Sequence, residues 1–505
     1  MSSVRSQHAI PGVKPAIYEG FGGLDTSRDI VALDTGRSQH LTQIINGYCD
    51  WRGQITKDPP ATLVKSSGRV LNVRFFARRE VAWAAADDKG IRLFSQRDHV
   101  SDYIWPNNAP VTSTVFDRKA MFFARALGSY QYDGNRFDLV EGSLNKLFPA
   151  FGTPVQRRLA VAGVLGQETR VFLSRTGNHK VFDIDEPKAS QDVLRAGYID
   201  MANMFGTADI VTGLIGFEQN RLAIFSADKT LIYRIDPDID QWAIEDRANI
   251  NIGCISHNTI ARAGNDVLFC SRSGVNTITR SEGNGLVVFS HSLSEKVDIL
   301  YRRLMRSVPD PESISAVFDQ DTGRYHIFFP QPGGVITKRL SLSLNPEGGE
   351  PKPSWSTGDF LNARCGDFFA GELAFGGADG VYAVGNIEDT AITHPSATHP
   401  EVIIETPWLF HGSLDDDKST KALTVQAYGS GTIFIEAINT EGRVFFSDRI
   451  EVDPDEDDGS FIGVPLFTRY RRKFEHRYRS MRLRFRVVSK GLFRMTGFAV
   501  DVVRN

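Results

Sequence analysis

A chain of 505 residues is long enough for two or three domains, and 41% hydrophobic with 24% charged residues excludes a disordered or fibrous polymer. The formal net charge of −3 excludes a protein that holds nucleic acid through a general basic excess, so such contact would need a local patch. Thirty-four Phe and 45 Gly beside 7 Met favour strands and tight turns over helices.

Residues 1–20 hold no apolar core followed by a cleavage site, and no run approaches the ~18 apolar residues that would cross a bilayer. Cys49, Cys254, Cys270 and Cys365 stand far apart with no C-x-x-C pair, which predicts small buried thiols. The expectation is a soluble chain, not inserted in a membrane, made in a reducing compartment. Residues 1–70 carry turns and few clear strands, and they read either as ring-closing strands or as a separate N-terminal arm.

From 71 to 388 one pattern recurs: an apolar strand, a short polar turn and an alternating strand. Residues 81–86 turn through Gly90 into 91–94, 121–123 through Gly128 into 130–132, and 171–173 through Gly177 into 181–182. Residues 222–225 turn at Lys229 into 231–233; 267–270 turn at Gly274, 325–329 at Gly334, and 373–375 at Gly380 into 381–384. Six of the seven turns thus place Gly where a hairpin needs positive φ, and Lys229 takes that place in the fourth. A further strand precedes several units, at 115–118, 214–219 and 317–321. Intervals of about 40 to 60 residues suit a four-stranded propeller blade.

The predicted fold is therefore all-β: a β-propeller of about seven blades, within a range of six to eight, followed by a C-terminal antiparallel β-sandwich. One helix interrupts it at 292–305, with Leu293, Val297, Leu300 and Leu304 at helical spacing and Ser294 as N-cap, packed outside a blade. Thr, Pro, Ser and His mark a linker at 389–400, and the sandwich occupies 401–505.

Common catalytic fingerprints are missing: no G-x-x-x-x-G-K-[ST], complete G-x-G-x-x-G, H-E-x-x-H or G-x-S-x-G. This predicts no catalytic residues, no cofactor and no enzyme. His394 and His399 lack further ligands on a rigid frame, so they read as linker histidines, not a metal site. Residues 453–459 begin like a calcium loop, but Gly459 falls one place late and Val464 stands where the bidentate Glu belongs. They read as a solvated acidic hairpin tip, as do 415–417.

The most unusual stretch is 469–486, where Arg482, Arg484 and Arg486 alternate with Met481, Leu483 and Phe485. Three Arg then share one strand face and repel, so that face needs acids of its own domain, a neighbouring subunit or phosphate. The predicted subunit contact sets Arg482, Arg484 and Arg486 against Asp455, Asp457 and Asp458 of another copy.

Several short segments share an order with a known family. Gly22-Gly23-Leu24-Asp25-Thr26-Ser27, then Ile44-Ile45-Asn46-Gly47 and Trp51-Arg52-Gly53, resembles the opening of many phage tail proteins. Ile252-Gly253-Cys254 leading to Asp266 through Val275 resembles one of their blades, and Glu405-Thr406-Pro407-Trp408, Lys421-Ala422-Leu423 and Gly431-Thr432-Ile433 their C-terminal module. The chain resembles the tail nozzle (tail tubular protein B) family of short-tailed phages and the related tail-hub and stabilisation proteins. The resemblance implies a virion protein assembled in the host cytoplasm, forming a ring, expected to be a hexamer. It implies partners in a tail adaptor or portal-side protein, a tail fibre or tip protein, and genomic DNA passing non-specifically through the channel. Members often carry large inserted domains, for which this chain has little room, so a compact nozzle is implied.

The alternative from another class is a carbohydrate-binding or glycan-hydrolysing propeller. Its lectin form would repeat a Trp in each blade, whereas Trp51, Trp83, Trp105, Trp242, Trp355 and Trp408 occupy unrelated positions.

Overall fold

The computed structural model describes residues 13–27, 39–50, 52–76, 80–183, 194–205, 209–245, 251–280, 287–289, 292–333, 336–345, 352–385, 397–411, 417–452 and 468–504. Strands dominate, arranged in many small sheets. The chain forms two compact units: Ala61–Ser341 with Asp359–Val384, and Met1–Pro60 with Leu342–Gly358 and Gly385–Asn505. This differs from a linear division at 70 and 388, because the segment 61–66 belongs to the first unit and 342–358 to the second.

In the larger unit seven sheets follow one another along the chain. Most run outward in sequence order from a first strand: Arg69–Phe76, Thr112–Phe116, Phe151–Val155, Gly213–Phe217, Ala261–Ala263, Ser315–Asp319 and Cys365–Phe369. These first strands meet in succession, with the short turn His257–Thr259 linking the fourth and fifth sheets, and the seventh returns to the first. The second strands carry the core. Arg158–Ala162 and Arg324–Pro330 are buried at every position, because each has a neighbouring sheet on both faces. That is why the most apolar runs in the sequence are the second strands.

Shared clusters join neighbouring sheets. Phe123, Leu159 and Phe172 pack between the second and third, Leu173, Leu222 and Ile224 between the third and fourth, and Phe225 with Phe269 between the fourth and fifth. Val70, Trp83, Cys365, Ala374 and Val381 join the seventh sheet to the first. The outermost strand of the seventh sheet is Ala61–Ser66, which runs antiparallel to Gly380–Val384. The start of this unit's chain is thereby stitched to its end.

Several expectations need correction. The return strand after 170–173 is Gly197–Asp200, not 181–182. Residues 175–182 instead form a turn fastened by Arg175 N–H to Val181 O at 2.9 Å. Gly90, Gly128, Gly177 and Gly274 have φ of 150°, 132°, 74° and 152°. Gly380 does not share this conformation; its glycine is required because an added Cβ would lie 2.9 Å from Leu63 Cδ1 and closer still to Lys65 O. Lys229 is likewise not in the left-handed region: its N–H donates to Ser226 Oγ at 3.0 Å and its C=O accepts from Ser226 N–H at 2.8 Å. Gly334 lies outside the described residues.

The predicted helix is present but shifted. A 3-10 turn covers Glu295–Val297 and the α-helix runs Asp298–Ser307. Ser294 does not cap it with its side chain, because its Oγ accepts from Val275 N–H at 3.1 Å. Tyr301 anchors the helix by donating to Ser271 O at 2.6 Å and meeting Phe329 edge-on.

The smaller unit contains two principal sheets. One places Lys418–Gly429 between Thr468–Lys473 and the C-terminal strand Phe493–Arg504, which also pairs with Val13–Glu19 and Ile55–Lys57. The other runs Lys352–Gly358, Gln43–Ile45, Val402–Glu405, Arg482–Val488, Gly431–Ile438 and Val444–Val452. Phe485 of the second meets Phe498 of the first at 5.4 Å between ring centroids. The burial of Arg482–Val488 alternates, as one face toward apolar neighbours and one toward water require.

Candidate functional site

The larger unit holds a half-open cavity of about 560 Å³ lined by residues from all seven first strands or their immediate flanks. The size lies within the ~300–1,000 Å³ range of small-molecule sites. Its charged lining is Arg74, Arg118, Arg262 and Asp367.

Arg74 and Asp367 form one wall. The Arg74 guanidinium donates from Nη1 to Asp367 Oδ1 at 3.1 Å, from Nε to Ser113 Oγ at 3.0 Å and from Nη2 to Ser113 O at 3.0 Å. Asp367 Oδ2 accepts from Phe75 N–H at 2.7 Å. Burial raises the Asp367 pKa above the usual carboxylate range, and the Arg74 charge and backbone N–H groups oppose that shift. Ser113 Oγ donates in turn to Asn72 Oδ1, and Asn72 Nδ2 reaches Val111 O at 3.3 Å. This wall is saturated and rigid.

His257 is held differently. Its ring stacks on Phe151 at 4.7 Å, and Nδ1 accepts from Leu214 N–H at 3.3 Å, so the proton sits on Nε2. Burial pushes its pKa down to about 3, helped by the Arg74 charge, which keeps the imidazole neutral at physiological pH. Arg262 donates from Nη2 to Gly216 O. Its pKa is lowered by burial, and among the described residues neither it nor Arg118 has a carboxylate partner. The lining holds a single carboxylate, Asp367, whereas glycoside hydrolysis as usually performed needs two.

None of these lining groups was singled out by sequence. The available signal was a polar residue within an otherwise apolar first strand, as with Arg74 before Phe75-Phe76 and Asp367 before Phe368-Phe369.

The residues that were singled out lie in the smaller unit. Arg482 Nη1 reaches Glu405 Oε2 at 2.9 Å and Arg484 Nη2 reaches Glu405 Oε1 at 2.7 Å; Arg484 also meets Glu436 at 3.2 Å, and Arg486 meets Glu401 at 3.0 Å. Burial alone would lower the Arg484 pKa, but Glu405 and Glu436 outweigh it and leave it raised. Arg482 also lies over the Trp408 ring and Arg486 over Phe434. The repulsion of the arginine row is therefore relieved within the chain. Asp455, Asp457 and Asp458 fall outside the described residues, as do His394 and the segment 412–416. Among the described residues no group of three metal-ligating side chains converges. Burial pushes the thiols of Cys254, Cys270 and Cys365 up to about 11, 12 and 12, so each stays protonated and unreactive.

No protein-family model matches the chain, and no curated protein matches it. Solved structures similar to it include a virginiamycin B lyase from Staphylococcus aureus (11% identity, 66% of this chain and 100% of that one, TM-score 0.40) and a luciferin-regenerating enzyme (9%, 65% and 96%, TM-score 0.33). A putative exported protein from Bacteroides fragilis is also similar (9%, 52% and 77%, TM-score 0.31). The expectation that the chain is not an enzyme is corrected by these neighbours, two of which are enzymes by name. The want of short catalytic motifs is thus no ground for excluding catalysis, and at such distance the neighbours carry no particular reaction to this chain.

Proposed function

We propose that the chain is a structural protein of a phage tail, a nozzle or hub subunit that joins copies of itself in a ring extending the DNA channel. In this reading the seven sheets are the blades of a propeller closed by Ala61–Ser66, and the two sheets of the smaller unit are a sandwich, antiparallel apart from the parallel pairing of Lys352–Gly358 with Gln43–Ile45. The tail adaptor or portal-side protein, a fibre or tip protein and the passing genome are its partners, and the virion its location.

One observation carries the reading: the strand Gln43–Ile45, which enters one resemblance segment, pairs with Val402–Glu405, which enters another, and neighbours of the other segments brace them within the smaller unit. Thr42 donates its N–H to Glu405 O at 3.1 Å, 363 residues away, and its hydroxyl to Thr406 O at 3.0 Å. Asn46 Nδ2 donates to Glu401 O at 3.1 Å and Phe21 N–H to Gly53 O at 2.8 Å. Gly23, at φ 82°, leaves room for the Trp355 backbone only without a side chain. Gly431–Ile438 pairs with the arginine strand Arg482–Val488. Short, separated signatures with a common structural role are what a shared architecture requires.

A closed ring needs head-to-tail contacts between unlike surfaces. Of the three proposed contact arginines, Arg486 keeps the most accessible side chain, at 46% exposure. Mass photometry of the purified full chain tests the proposal. Closed oligomers of about six copies support it, and single copies at every concentration up to micromolar overturn it.

A further inference from the structure

The cavity of the larger unit has a charge imbalance that its own residues do not relieve. Three guanidinium groups, Arg74, Arg118 and Arg262, line it against one carboxylate. That carboxylate, Asp367, is already engaged by Arg74 and by a backbone N–H. His257 adds no negative charge, since its imidazole is neutral. Two positive charges therefore line the same half-open space. Arg118 and Arg262 are both exposed residues, and Arg262 also donates to the Gly216 carbonyl, so an anion entering from solvent can reach both. Low-dielectric walls around like charges concentrate the field and raise the local concentration of counter-ions. A planar guanidinium matches the two oxygens of a carboxylate or phosphate group.

We propose that this cavity is a binding site for a small polar molecule carrying an oxyanion, with Arg262 and Arg118 as the groups that grip the anion. The Arg74–Asp367–Ser113 wall is pre-organised by its own hydrogen bonds and serves as a fixed boundary. Gln320, which follows the last residue of the sixth sheet's first strand, supplies a neutral donor in the same lining. The cavity volume suits a small organic acid or phosphate. The inference stands apart from the ring proposal, since it uses only residues of one unit of one copy.

Isothermal titration of the full chain at fixed ionic strength tests it, with citrate as the carboxylate probe, inorganic pyrophosphate as the phosphate probe and glucose as the neutral control. Saturable binding of one or both anions is expected, and their relative affinity identifies which oxyanion the site prefers. Arg262→Gln and Arg118→Gln should each weaken binding by about 10-fold or more, the loss expected for one charge-assisted contact. Arg262→Lys should retain part of it. Arg118 has no ion pair among the described residues, so its replacement leaves the fold intact and separates loss of binding from loss of structure. No saturable binding of either anion overturns the proposal. So does binding indifferent to both Gln variants, or glucose binding as tightly as the anions.

Discussion

Replacing Gly380 with alanine tests whether the seven sheets are held shut by the pairing of 61–66 with 380–384. Gly380 does not have a left-handed φ, so alanine brings no backbone strain and the effect is steric. The new methyl would meet Lys65 O well inside van der Waals contact, Leu63 Cδ1 at 2.9 Å and Ser66 Cα at 3.0 Å, and two of these atoms are backbone. The closing strand must withdraw, loosening the bonds from Ser67 N–H and Ser66 Oγ to Asp379 O, each 3.0 Å. Two weakened hydrogen bonds at about 0.5–1.5 kcal/mol each, with about 1–3 kcal/mol of overpacking, give a loss of about 2–6 kcal/mol. Hydrogen exchange read by mass spectrometry should show the peptide over 61–66 exchanging roughly 30-fold to 10,000-fold faster. Gly166→Ala is the control: it has φ 77° and no atom within 4 Å of an added Cβ, so exchange at 61–66 should not change. Exchange at 61–66 within threefold of the parent in Gly380→Ala would refute the closure argument.

Three further predictions follow from named groups. Glu405 has a side chain only 7% exposed and is held by two arginines, so the double substitution Arg482→Met/Arg484→Met should cost roughly 3–5 kcal/mol by stranding a buried carboxylate. Adding Glu405→Gln should recover much of it in urea unfolding, and no recovery would count against the pairing. His179, with a pKa pushed down to about 4 by burial, and His257, at about 3, bind fewer protons folded than unfolded below the ordinary histidine value. Stability should therefore fall as pH drops from about 6.5 toward 4, by up to about 1.4 kcal/mol per pH unit for each histidine. His179→Gln should flatten the slope in thermal melts across that window. Lys57 is fully buried, donates to Ser489 O at 2.6 Å, and has a pKa lowered by burial to about 8. Because the unfolded chain binds the proton more tightly, its contribution should rise between pH 8 and about 10.5, and Lys57→Met should abolish that rise.

The hairpins of the larger unit were legible because their second strands are buried on both faces and read as unbroken apolar runs next to glycine turns. Their outer strands were not: Ala243–Ile244 and Phe137–Leu139 are too short to show a period. The pair 181–182 imitated a return strand because it follows a turn at hairpin distance, while the true partner comes only at Gly197–Asp200. Closure by Ala61–Ser66 joins residues more than three hundred positions apart, beyond the reach of any local pattern. The alternation of Arg482, Arg484 and Arg486 was plain, but its acids come from two other strands and one flanking residue, Glu401, and only the sheet register brings them opposite. The cavity takes one or two polar residues from each of six first strands and only Leu214 and Ile215 from the fourth, a signal that emerges only when all seven strands are brought around one space.

Electron cryo-microscopy of the purified full chain tests the central claim most directly. The account predicts closed rings of subunits, each showing a disc of seven sheets around its own axial cavity. Discs that remain single copies, or an open stack of sheets without a seventh-to-first junction, would contradict it.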